Sequence, residues 1–402
     1  MKIGNKKIAV VIFNYIQYLS IMPGIEKLIE KGYDIDFYCD EAKGDETGFY
    51  NLFADVRNAL LQKGHKVYTK SQKIKYKILL EPYINGLGLE GEYNLRYRYG
   101  PITAKPNKVY IPSFFIKYDC VLCSGTYEAR LLSNFTNTEI LADLKYVGFK
   151  KKNYHKGKKV LLYLPTYGEE SSIELILNEL KKLRKKYYII AKIHHGTSFL
   201  KNESERSNLI KDAVDEYYDS HKELKDLLEI SDIVLTDNSA SIFEALYNNI
   251  PVATFSNDIN QNKIGDFNSI QYELYKEGLL PYTNNTRKIK DILEETLSKK
   301  IVLRQRQWSK KNLVYSKDPI GDFVKIIEKY YTDKIDRQTY LLHRLLRSDY
   351  DEKVDKLDGL TKECEKLHNE LNSCVNELKN YRTGKLYKIA TRIYKIKNGG
   401  KK

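Results

Sequence analysis

Ser231-Asp-Ile-Val-Leu-Thr-Asp237-Asn238-Ser239-Ala240-Ser241-Ile-Phe-Glu244-Ala-Leu246 decides the fold. Residues 233 to 235 form a short apolar run that reads as a buried strand, and residues 241 to 248 carry helical patterning. The polar turn between them is therefore a strand's carboxyl end meeting a helix start. The same grammar recurs on both sides. Strands are predicted at 159–164, 187–193 and 251–255, with helices at 172–186, 221–230, 287–299, 303–314 and 322–331. The amino-terminal stretch repeats it, with strands at 7–13, 33–39, 65–69, 119–123 and 138–141 and helices at 23–31, 48–62 and 126–134. Residues 83–112, richer in Gly and Pro, read as loops. Strands alternating with helices predict an α/β chain with parallel sheets covered on both faces, here two doubly wound, Rossmann-type halves facing a cleft. Residues 150–159 hold six lysines and almost nothing apolar, which predicts an interdomain linker. The domains expected are 1–150 and 151–331, each Rossmann-like, and 332–402 as a helical extension.

At 402 residues, 42% hydrophobic and 30% charged, the chain is long enough to bury real cores and too polar for a membrane bundle. No apolar run approaches the roughly 20 residues that cross a bilayer, and residues 1–7 lead into a strand without a cleavage signature, so a cytoplasmic protein is expected. Five scattered cysteines do not make a disulfide framework, and Cys120-Val-Leu-Cys123, inside an apolar run with no second ligand pair, reads as two strand cysteines. The net charge of +15 is uneven. Residues 382–402 carry Arg382, Lys385, Lys388, Arg392, Lys395, Lys397, Lys401 and Lys402 and no acid. Leu386, Ile389, Ile393 and Ile396 make an apolar stripe alongside, the pattern of a helix lying on an anionic membrane surface. Before it, Leu360, Cys364, Leu367, Leu371, Cys374, Leu378 and Tyr381 step by four and three, which predicts a coiled coil and a homo-oligomer through 350–381. With its positive charge in tail and linker, not along a groove with interleaved aromatics, nucleic acid is not the expected partner.

In such folds ligands bind beyond the strands' carboxyl ends. Three loops qualify: Pro165-Thr166-Tyr167-Gly168, His194-His195-Gly196-Thr197, and Asp237-Asn238-Ser239-Ala240. At the third, hydroxyls and backbone N–H groups at a helix start suit phosphate oxygens, and Glu244 in the first turn suits vicinal hydroxyls. Ser239 or Ser241 is equally expected as an ordinary N-cap. Lys192, His194 and His195 leave the neighbouring strand together. An imidazole moves protons near neutrality and a lysine steadies phosphate charge. Neighbouring residues of an extended chain point to opposite sides, so one histidine is expected in the cleft and one elsewhere. Arg130, Lys145, His65, His155, His221, His343 and His368 have no constellation around them. A P-loop, HExxH and GxSxG are all absent.

Three of these segments, Leu162-Tyr-Leu-Pro-Thr166-Tyr, Lys192-Ile-His194-His195 and the quoted stretch with Pro251 beyond, resemble the CDP-glycerol glycerophosphotransferases, the TagF/TagB-like enzymes of teichoic acid and capsule synthesis. Arg98-Tyr-Gly-Pro and Gly125-Thr-Tyr-Glu-Ala-Arg are similar to first-half segments of that family. The resemblance implies a GT-B-like fold, a nucleotide-activated, CDP-linked donor held by the second domain, a lipid-linked or polymeric acceptor, no cofactor or catalytic metal, and peripheral attachment to the inner face of the cell membrane. It places the catalytic pair on Lys192 and His194, and the donor site on Thr166, Asp237, Asn238, Ser239, Ser241 and Glu244. Asn238 stands where the family has Tyr, Ala240 where it has a second Ser, and Glu244 where it has Asp. The family's amino-terminal His-Gly base is missing, because His65 is the only histidine before residue 155. Either His194 serves alone, a carboxylate such as Glu128 substitutes, or the chemistry differs. The expected activity is polyol-phosphate transfer; the alternatives are a nucleotide-sugar glycosyltransferase and a coiled-coil scaffold without catalysis.

Overall fold

The computed structural model describes residues 7–39, 49–83, 87–98, 115–154, 157–200, 203–219, 221–237, 239–255 and 274–398. It divides into two units, residues 1–343 and 344–402.

The first unit holds two sheets. The amino-terminal one contains β1 (Ile8–Val11), α1 (Tyr15–Glu30), β2 (Ile35–Tyr38), α2 (Phe49–Gln62), β3 (Val67–Tyr68), β4 (Lys75–Glu81), β5 (Glu90–Arg96), β6 (Cys120–Cys123), α3 (Thr126–Leu132) and β7 (Asn137–Ile140). Its strands are all parallel, in the order β3-β2-β1-β4-β5-β6-β7. The second comprises β8 (Lys159–Leu164), α4 (Ile173–Leu183), β9 (Tyr187–Lys192), α5 (His195–Phe199), α6 (Ser204–Lys211), β10 (Glu216–Tyr218), α7 (Leu224–Ile230), β11 (Ile233–Thr236), α8 (Ser241–Tyr247), β12 (Val252–Phe255) and β13 (Tyr282–Thr283). Its order is β10-β9-β8-β11-β12-β13, again wholly parallel. The apolar run at 160–164 is explained by burial on both faces. Leu161 and Tyr163 enter one core, and Val160, Leu162 and Leu164 enter the other. Helices α9 (Ile289–Thr296), α10 (Lys299–Asn312) and α11 (Pro319–Tyr331) follow.

Several expectations change. Helix α1 begins at Tyr15, not at residue 23: the Asn14 side chain caps it by accepting from Gln17 N at 3.0 Å, and Pro23 lies inside. A proline costs a helix one donor, and here it does not end it. Residues 75–81 and 90–96 are strands where loops or nothing regular were expected, and both lie inside the sheet; residues 99–112 of the expected loop lie outside the described residues. The crossing between halves comes before the lysine-rich segment, because Leu144 packs in the first core and Tyr146 in the second. Lys150 N and Lys152 N donate to Glu229 of α7, so this stretch is fastened to the second half. Finally, α11, expected in the second domain, returns to the first, where Phe323, Val324, Ile327 and Tyr330 join its core. Gly125 makes room for that return, since a Cβ there would lie 1.9 Å from the Asn312 carbonyl oxygen.

The second unit contains most of α12 (Arg337–Thr383) and all of α13 (Lys385–Asn398), separated at Gly384. No helix among the described residues is long and apolar enough to cross a membrane. Cys120 and Cys123 are buried in β6, and burial pushes both thiols up, as the strand reading expects.

Candidate functional site

Strands β9, β8 and β11 are neighbours and run the same way, so the loops that follow them leave one edge of the sheet side by side. Asp237 joins two of these loops. Its fully buried carboxylate accepts from Thr166 N at 2.8 Å, Ser172 N at 3.2 Å and the Ser172 hydroxyl, tying the end of β8 to the start of α4. Burial pushes its pKa up to about 7, against the pull of these donors. Thr166 is itself 2% exposed. Both residues were expected to touch the donor; instead they build the edge and face inward. Asn238 lies outside the described residues.

His194 caps α5, its Nδ1 accepting from Gly196 N at 3.0 Å. The neutral ring then carries its proton on Nε2, which makes that nitrogen a donor. This geometry suits hydrogen bonding to a phosphoryl oxygen better than abstraction of a proton by Nε2. The Tyr167 ring stacks on the imidazole, centroids 4.6 Å apart and planes 17° from parallel. Gly196 permits this, because a Cβ there would meet the Tyr167 ring at 2.6 Å. The two histidines do not part as expected. Their rings lie 3.9 Å apart, since the strand ends at Lys192 and the alternation of extended chain no longer governs residues 194 and 195.

Lys192 ends β9, and burial lowers its pKa to about 8, while Glu244 and Asp219 work in the opposite direction. Glu244, 8% exposed, is in an ion pair with Lys145, which follows β7 of the other sheet. Burial works to lower the Lys145 pKa, but Asp143, 3.6 Å away, and Glu244 together hold it above its ordinary value. Tyr146 beside it is also pushed up, by burial and then by Glu244. Lys145 thus carries the first half into the site, a role that no local pattern announced. Tyr167 was missed too; its signal was an aromatic ring in a strand-end loop.

At the start of α8, Ser239 Oγ accepts from Ser241 N at 3.3 Å and lies 3.2 Å from Ser241 Oγ. Ile242 N donates to Ser239 O, and Phe243 N and Glu244 N donate to Ala240 O. The helix start therefore offers hydroxyls more than free amides, which narrows the expected phosphate cradle. It is not covered: Ser241 is half-buried, as are Lys192, His194 and His195.

Glu128, weighed as a substitute base, is fully buried. It accepts from Ser124 N at 2.6 Å and Ser124 Oγ at 2.8 Å and pairs with Arg98 at 3.1 Å. Arg130 binds Asn312. His65 packs on Phe37, and burial lowers its pKa.

Residues 138–310 match the family model described as CDP-glycerol:poly(glycerophosphate) glycerophosphotransferase. A teichoic acid poly(ribitol-phosphate) polymerase of Bacillus spizizenii is 26% identical over 163 residues, which cover 38% of this chain and 25% of that protein. This chain thus aligns with a quarter of the length of that relative. Among solved structures, the wall teichoic acid polymerase TagF has this fold with a TM-score of 0.52 at 14% identity, over 82% of this chain and 90% of that one. A putative UDP-N-acetylglucosamine 2-epimerase from Listeria monocytogenes gives a TM-score of 0.51 at 11% identity, over 83% and 98%. The two α/β halves are GT-B-like. The resemblance read from the sequence holds: between residues 138 and 310 this chain matches the CDP-glycerol glycerophosphotransferase family, and over most of its length it has the fold of a wall teichoic acid polymerase.

Proposed function

We propose that this protein transfers glycerol phosphate, or a related polyol phosphate, from a CDP-activated donor to a cell-surface polymer acceptor, as in teichoic acid or capsule synthesis. The observation that carries this reading is that Lys192 and His194 follow β9, and Ser239, Ser241 and Glu244 follow β11, on either side of β8 in one parallel sheet within the segment that matches the family. In this reading the Ser239 and Ser241 hydroxyls and the Lys192 ammonium hold the diphosphate, and Glu244 receives the donor's hydroxyls. An acceptor hydroxyl attacks the β-phosphorus, its oxygen bonds to phosphorus, CMP departs with the former bridging oxygen, and the hydroxyl proton is released. His194 donates from Nε2 to a phosphoryl oxygen as charge builds there. No cofactor is required by this scheme.

The test is a panel of CDP-glycerol, CDP-ribitol and UDP- or CDP-sugars, read by the nucleotide released. CMP from a CDP-polyol is the expected product. Release of UDP or CDP from a nucleotide sugar would replace this reading with glycosyl transfer, and titration calorimetry without nucleotide binding would favour a scaffold.

The reading places the enzyme on the inner face of the cell membrane. Helix α13 supports this: Leu386, Ile389, Ile393 and Ile396 are exposed beside five basic residues without an acid. Removing residues 382–402 should release the full protein from vesicles containing anionic lipid, measured by co-sedimentation; unchanged binding would reject the tail as the anchor.

A further inference from the structure

In the second unit, Leu357, Leu360, Leu367, Leu371 and Leu378 are each between 58% and 63% exposed on one continuous helix. Steps of three and four from Leu357 make positions 357, 364, 371 and 378 the a sites of a heptad and 360, 367, 374 and 381 the d sites. Cys364 and Cys374, both exposed, therefore belong to this seam. Lys353, the preceding d position, ends the seam on the amino-terminal side, and the break at Gly384 ends it on the other.

The charges beside the seam select the occupant and its direction. The g positions from 363 onward are Glu363, Glu370 and Glu377. In an antiparallel pair g faces g, so Glu363 would meet Glu377 of a second copy and Glu370 would meet itself. In a parallel pair g faces the following e position, which sets Glu363 against His368 and Glu370 against Val375, so that no glutamate of the row meets another. Like charges oppose the first arrangement and not the second.

We infer that α12 pairs with a second copy of this chain as a parallel, in-register, two-stranded coiled coil over residues 357–381. Each a or d residue then meets its own counterpart, Cys364 with Cys364 and Cys374 with Cys374. Both copies of α13 emerge at one end of the coil, so two basic apolar helices meet the same surface and their binding reinforces. The pairing itself does not depend on the proposed transferase activity.

The full-length chain provides the test, because its other three cysteines, Cys39, Cys120 and Cys123, are buried. Cys374→Ser leaves Cys364 as the exposed thiol, and Cys364→Ser leaves Cys374. Each variant is treated with a bifunctional maleimide whose spacer is shorter than the ~15 Å that ten helical residues span. The expected result is a dimer by light scattering without lipid and a covalent dimer from both single-cysteine variants. Linking in the parent but in neither variant, the outcome of an antiparallel pair with Cys364 facing Cys374, would overturn the proposal. So would a monomer or a trimer by light scattering. Leu367→Glu should convert the dimer to monomer and suppress linking while its CMP release in the donor assay persists; a dimer that survives this change is not held by the seam.

Discussion

The two sheets of the first unit differ, among the described residues, in how their strand ends are filled. At the first edge Glu128 is bound by Ser124 and Arg98, and Arg96 Nε donates to the Pro82 carbonyl at 2.8 Å. The cavity there, bordered by Ser20, Arg98, Ser124 and Asp143, has about 30 Å³, room for a water molecule and little else. At the second edge Lys192, His194, His195 and Ser241 remain half-exposed. A parallel sheet provides a ligand edge wherever its strands end. Which edge can take a ligand depends on which of its side chains stay open to solvent.

Breaking the second edge should have the largest effect. His194→Ala removes the Nε2 donor and should lower turnover about 10²- to 10³-fold, while the missing cap of α5 costs only about 1 kcal/mol of stability. Gly196→Ala should lower turnover too, by pushing the Tyr167 ring off the imidazole. At the first edge, Glu128→Gln should cost stability in denaturant titration and leave the nucleotide products unchanged. Full turnover by His194→Ala would remove the contrast between the edges.

The next largest effect concerns the ion pair between Lys145 and Glu244, which joins the halves at the site. Lys145→Met leaves Glu244 largely buried without its cation and should cost about 3 kcal/mol in urea unfolding. The double variant with Glu244→Gln should recover much of that loss, because the charge that was left unpaired is gone. A double variant as unstable as the single one would show that Lys145 acts through Asp143 or packing instead.

Much of this was legible in the sequence where structure is local. The turn at 237–241 and the histidine pair were found because a strand's apolar run and a helix start bracket them within a dozen residues. Lys145 was not, since its partner Glu244 is 99 positions away and nothing near 145 marks a site. Strands β4 and β5 hid for the same reason. Lys77 and Arg96 interrupt their apolar pattern, yet both are buried: Lys77 pairs with Asp333 at 2.5 Å and Glu92 at 2.8 Å, and Arg96 bonds a carbonyl. A charge looks like a surface residue until its distant partner is known. The turn at 237–241 carried a related error. Its serines and aspartate were read as facing a ligand, but Asp237 is turned inward by donors from residues 166 and 172.

A smaller effect should appear in the pH dependence of donor binding. Lys192 is a cation below its pKa of about 8 and neutral above it. Affinity for a diphosphate should therefore fall as pH rises from 7 to 9, seen as a rising KM with kcat less affected. Lys192→Arg stays charged throughout that range and should flatten the profile. Stability moves the other way: the lowered folded value means that folding gains between about 8 and the ordinary lysine value. A KM that stays level in the parent would place Lys192 away from the phosphates.

The smallest effect lies at a second contact between the halves, where His221 Nε2 is 3.0 Å from Asp55 of α2. Asp55 is the largest cause of a raised His221 pKa, with Asp219 adding to it against some loss from burial. A histidine raised in the folded state stabilises it fully below the unfolded value, roughly 6.5, and loses that contribution as pH climbs through the folded value. Both side chains are exposed, at 59% and 41%, so solvent screens the pair and its worth is under about 1 kcal/mol. Denaturation midpoints at pH 5.5 and 8 should differ slightly less in Asp55→Asn than in the parent, and raised salt should shrink the parent's difference toward the variant's. Because this pair and Lys145–Glu244 both join the halves, comparing them separates charge from burial: the exposed pair should answer to salt and pH, and the buried one to neither over the same range.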